Sequence, residues 1–88
     1  MKKENSKIQE LKNLLIQNGW SLKKEGLLYR SIQGKEYRFK FAAHSVRYET
    51  AYIVPGWEGK DEKKWLRLKS GYYKNITINN GHITGLKH

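Results

Sequence analysis

The 88-residue chain has no cysteine, a single proline, and no apolar run approaching the length of a membrane span. Without cysteine there is neither a disulfide framework nor a thiolate zinc site, so the hydrophobic core must hold the fold by itself. The leading "MKKENSKIQE" carries lysines but no apolar stretch, so it does not read as a signal peptide. A cytoplasmic protein that avoids the membrane is expected. The chain is too short for two ordinary domains and buries only about 60% of its unfolded surface, which predicts one small basic domain over residues 1–88 with one thin core.

Acidic side chains are also scarce. Eight Asp and Glu stand against eighteen Lys and Arg, a formal net charge of +10. The excess is spread along the chain, at +4 over residues 1–24, +2 over 25–55 and +4 over 56–88. No run of five or six like charges forms a basic tail, so any basic patch must be assembled by folding. Such a charge favours polyanions in general, and an ordinary lysine-rich soluble surface is the plain alternative. Metal chemistry finds no support: His44, His82 and His88 share no ligand spacing, and Glu58, Asp61 and Glu62 are interleaved with Lys60, Lys63 and Lys64. No metal or cofactor is expected.

Helical periodicity occurs once. In "NSKIQELKNLLIQNG", Ile8, Leu11 and Leu15 recur at helical spacing with Leu14 widening the stripe, Ser6 and Gln9 fit a capping box, and Gly19 supplies a stop. This predicts a helix over residues 6–18. A recognition-helix role is disfavoured because no second helix follows.

From Gly19 onward the pattern is strand and turn. Breaks at Glu25-Gly26 and Gly34-Lys35 predict strands near residues 20–24, 27–33 and 36–42 in an antiparallel meander. "SVRYETAYIV" alternates Val46, Tyr48, Thr50 and Tyr52 against Arg47, Glu49, Ala51 and Ile53, and stops at Pro55-Gly56. After a polar loop, "WLRLKS" sets Leu66 and Leu68 against Trp65, Arg67 and Lys69. Asn80-Gly81 suits a type I′ turn that would place Ile78 opposite Ile83 and Asn79 opposite His82. The expected architecture is α+β, one N-terminal helix packed on an antiparallel sheet of about five to six short strands. The expected core is the helix stripe with some of Leu22, Leu28, Ile32, Phe39, Phe41, Leu66, Leu68, Ile76, Ile78 and Ile83.

One short helix cannot cover a whole sheet, so a face stays open. In "KEYRFKF", Tyr37, Phe39 and Phe41 leave one side while Arg38 and Lys40 leave the other. Cations bind phosphates and flat rings stack on unpaired bases, and a sheet face can carry both at strand spacing. The leading expectation is therefore a small nucleic-acid-binding protein, for DNA or RNA, using Arg38, Lys40, Arg47, Arg67 and Lys69 with Trp57, Trp65, Tyr72 and Tyr73. Trp57, in the loop "PGWEG", is the aromatic expected to be exposed. On this view Arg38 and Lys40 are replaceable without harm to the fold.

The alternative is a protein-interaction module, an inhibitor or adaptor of the kind carried by phages and mobile elements, meeting an acidic protein surface. The third reading is a metal-free ribonuclease in which His44 is the one catalytic candidate, with Arg47 and Tyr48 near it in sequence to stabilise a phosphorane. The stretch "LKNLLIQNGWSLKKEGLLYR" resembles the opening of HicA-type RNA-cleaving toxins, where a helix ending in Gly plus an aromatic leads through a short hairpin to Tyr-Arg. The resemblance covers barely a quarter of the chain. Where that family carries Gly-Ser-His, this chain has Gly26-Leu27-Leu28, so the family's histidine has no counterpart. What the resemblance implies is the helix-then-hairpin start.

Overall fold

The computed structural model describes residues 6–88. The reading of the leading segment falls partly on residues 1–5, outside the described residues.

Helix α1 (Ser6–Gln17) matches the expected span. Ser6 is itself helical, so the capping position precedes it and lies outside the described residues. At the other end the Trp20 amide donates to the Leu15 carbonyl at 3.0 Å and Asn18 Nδ2 to the Leu14 carbonyl at 2.7 Å, which satisfies carbonyls the last turn leaves open. Arg30 Nη1 donates to the Asn18 carbonyl at 2.8 Å and ties this helix end to the sheet.

Strands β1 (Ser21–Lys24), β2 (Leu27–Ile32), β3 (Lys35–Phe41), β4 (Ser45–Val54) and β5 (Glu62–Tyr72) form an antiparallel meander in that order. Strands β6 (Thr77–Asn79) and β7 (His82–Thr84) make a separate two-stranded sheet, with Ile78 opposite Ile83 and Asn79 opposite His82 as the Asn80-Gly81 turn predicts. The fold is α+β. The β2–β3 turn is Gln33-Gly34, one residue earlier than the sequence reading, because a type I′ turn takes two left-handed residues with Gly second (φ 51° and 82°). Among the described residues no helix is long and apolar enough to cross a membrane.

One sheet face is covered. Leu11 and Leu15 of α1 pack with Trp20, Leu28, Phe39 and Val46, and Tyr73 and Ile76 belong to the same buried cluster. Trp20 and Tyr48 each approach the Phe39 ring with centroids at 4.8 Å. Ile78, Ile83 and Leu86 extend the cluster, so the β6–β7 hairpin shares with α1 the task of covering the sheet. Leu22, Ile32 and Leu66, expected in the core, are exposed. A twelve-residue helix is about 18 Å long, too short to reach the ends of a molecule 48 Å in extent.

The β4–β5 pair is the longest. Strand β3 pairs with β4 only at 37–41 against 46–50, whereas β5 follows β4 out to Val54. The outer part of this hairpin projects as a two-stranded arm, bearing the exposed Tyr52, Ile53 and Val54 and tipped by Trp57, which is 90% exposed.

Candidate functional site

Residues directly opposite in a sheet share a face, so the pairing register defines the uncovered surface row by row. One row runs Ser21, Tyr29, Arg38, Glu49 and Arg67 across all five strands. The next runs Lys24, Leu27, Lys40, Arg47 and Ser70. The alternation in "KEYRFKF" does put Arg38 and Lys40 on the open face, with Phe39 beneath the helix.

Arg38, however, is not an open cation. Its Nε donates to Glu49 Oε1 at 2.6 Å, with the two side chains 15% and 7% exposed, and its guanidinium lies 4.2 Å from the Trp65 ring centroid. Tyr29 meets Trp65 edge to face at 5.9 Å. Together these four side chains seal the middle of the open face, neutral in charge and half aromatic. Trp65 is therefore committed to Arg38, where the sequence reading had it waiting for a base.

The basic residues that remain open lie toward one end. Lys40 and Arg47 are direct cross-strand partners, two like charges held side by side at some cost. Arg67 lies opposite Glu49, whose carboxylate is already given to Arg38. Lys69 does not join them. The register passes from Tyr48↔Lys69 to Glu49↔Arg67, so Leu68 is an extra residue, a β-bulge that turns Lys69 to the helix side and leaves Arg67 on the open side. The sequence expectation of Arg67 and Lys69 on one face fails at that one inserted residue.

At this end Ser45, Arg47, Arg67, Ser70, Gly71, Tyr72, Asn75, Gly85 and Lys87 line a cleft of about 480 Å³. Its three charged side chains are all cationic, and among the described residues none of the three has a carboxylate within 4.0 Å. Lys87 was missed by the sequence reading. It arrives through an isolated bridge to Ser70, the two residues exchanging backbone hydrogen bonds of 2.8 Å in both directions, and no local pattern announces a pairing across the intervening hairpin.

The remaining candidates separate. Tyr72 is exposed at the end of β5, beside the cleft. Tyr73, expected at the surface, is buried in the core: its hydroxyl donates to the Ala42 carbonyl at 2.7 Å, and burial pushes its pKa up to about 12. Its ring stacks on Phe41, so it is a strut and not a contact surface. Trp57 stands at the arm tip, outside the cleft lining. His44 occupies the β3–β4 turn and lines a second cleft of about 370 Å³ with Ala43, Tyr72, Tyr73 and Lys74. Arg47 and Tyr48 leave β4 on opposite faces, Tyr48 stacking on Tyr37 at 5.8 Å with its pKa raised by burial and then by that neighbour. The histidine, arginine and tyrosine thus do not converge as a phosphodiesterase trio would. Among the described residues no group of three or more His, Asp or Glu is placed to hold a metal ion. Comparison of the chain with protein-family models, curated proteins and solved structures finds no match.

Proposed function

We propose that the protein binds nucleic acid through the basic end of its open sheet face, with Arg47, Arg67 and Lys87 on phosphate oxygens and Lys40 continuing the track. One observation carries this reading: a cleft walled by three unpaired cations, with hydroxyls and an amide from Ser45, Ser70 and Asn75 at their side and no acid in its lining. Phosphate recognition uses that combination, since guanidinium and ammonium groups supply charge while neutral donors fix the register. The net charge of +10 adds long-range attraction.

The test is affinity for short oligonucleotides over a salt series. The logarithm of the binding constant should fall linearly with the logarithm of salt, by about 0.7 to 0.9 per phosphate neutralised. Replacing Arg47 and Arg67 by Gln should weaken binding and flatten that slope by roughly one to two units, with the fold intact because exposed charges contribute little stability. Lys35→Gln with Lys60→Gln, both exposed and both outside the cleft lining, is the matched control for net charge. A flat salt response overturns the proposal, as does an equal loss in the control.

A second reading, docking of a protein partner on the arm, is favoured by the exposure of Trp57 beside Ile53 and Val54. Its signature is capture of a partner that Trp57→Ala abolishes while oligonucleotide affinity stays unchanged.

A further inference from the structure

The two clefts at the basic end share one wall. Tyr72 lines the cleft of Arg47, Arg67 and Lys87 on one side, and that of His44 and Lys74 on the other. Tyr72 is 59% exposed, and its side chain makes no hydrogen bond or ring contact among the described residues. Its position is nonetheless fixed. On its C-terminal side Tyr73 is anchored twice, through its amide to the His44 carbonyl at 3.0 Å and through its hydroxyl to Ala42, and Tyr72 itself pairs with Ser45. A rigid backbone therefore holds a flat ring outward, with cationic side chains on both flanks and no carboxylate lining either cleft.

From this arrangement we infer that the ligand is a single-stranded nucleic acid, one of whose unpaired bases stacks on Tyr72 while its flanking phosphates lie in the two clefts. The inference rests on the nucleic-acid reading above and narrows it. A duplex keeps its base faces stacked on one another and offers only phosphates and groove edges, so the ring would gain nothing from it. An unpaired strand presents bases and phosphates in alternation, matching a ring between two cationic clefts. Stacking of this kind tolerates any base, and the cationic side chains of both clefts are assigned to phosphates, which carry no sequence information. The expected preference is for strandedness and not for sequence.

The experiment compares the wild-type protein on oligo-dT, oligo-rU, and a mixed-sequence DNA duplex of equal length, at one moderate salt concentration. Both single strands should bind more tightly than the duplex. Tyr72→Ala should lower single-strand affinity by about 5- to 100-fold, Tyr72→Phe should restore it, and duplex affinity should respond to neither, since one base–aromatic stack is worth that factor. The salt slope should stay the same in all three proteins, because no cation has been removed. If the duplex binds as tightly as the single strands, or Tyr72→Ala leaves single-strand affinity unchanged, the inference is overturned while the basic cleft keeps its role. If no oligonucleotide binds in a salt-dependent way, the wider reading falls with it. A preference of dT over rU or the reverse separates DNA from RNA as the source of the strand.

Discussion

Arg38 shows how far a residue's role depends on its neighbours. In the sequence it is one of two exposed cations on an alternating strand. In the fold it spans the gap between Glu49 and Trp65, and its removal strips a carboxylate with 7% exposure of the cation it is bonded to. Arg38→Gln should therefore destabilise the protein by about 3 to 5 kcal/mol, as read from chemical denaturation, where Lys40→Gln should change stability by less than about 0.5 kcal/mol. The pair should also be non-additive. Arg38→Met combined with Glu49→Leu should cost less than either change alone, because the expense lies in the orphaned charge and not in the lost attraction. Equal, small effects from Arg38→Gln and Lys40→Gln would show that the sealed patch carries no energy.

At the scale of elements, the alternation of side chains made β3 and β4 legible, and two-residue turns ending in Gly made the hairpins legible, to within a residue. Helix α1 was legible because Ile8, Leu11 and Leu15 keep their spacing from the first turn to the last. Three things were not. The bulge at Leu68 has no composition of its own, since it is a mismatch between two strands and exists only once they are paired. The burial of Tyr73 instead of Tyr72 depends on a one-turn 3-10 helix that starts between two identical side chains. The bridge from Ser70 to Lys87 needs the β6–β7 hairpin to fold back first. The candidate site is built from these three features, which is why its residues were named in part but not its location. The fold-back also makes a prediction. Gly85 has φ 103° and a Cβ there would come within 2.3 Å of the Asn75 carbonyl oxygen, while a Cβ on Gly71 would come within 2.6 Å of the Gly85 carbonyl. Gly85→Ala should cost at least about 1 kcal/mol in thermal unfolding and should lower oligonucleotide affinity by displacing Lys87. Unchanged melting and binding would mean that the C-terminal segment does not hold the cleft.

At the scale of the whole molecule, stability should carry a signature at high pH. The Tyr73 phenol titrates near 10 when unfolded and at about 12 in the fold, because burial penalises the phenolate. Its contribution is complete below pH 10 and is lost as pH rises through 12, since there the unfolded chain releases its proton more readily than the native one. Denaturation midpoints should fall across that window, and Tyr73→Phe should flatten the fall while costing about 1 kcal/mol at neutral pH. An identical alkaline slope in the variant would assign the loss to other groups. The same architecture has a kinetic consequence. In a pure meander each strand pairs with the one synthesised just before it, so five strands assemble by closing short loops, and low contact order favours rapid folding. The clasp of Lys87 on Ser70 joins distant parts of the chain and contributes little to the buried cluster. It can open while the sheet persists, so loss of binding and loss of structure become separate events, the first reached under milder conditions than the second.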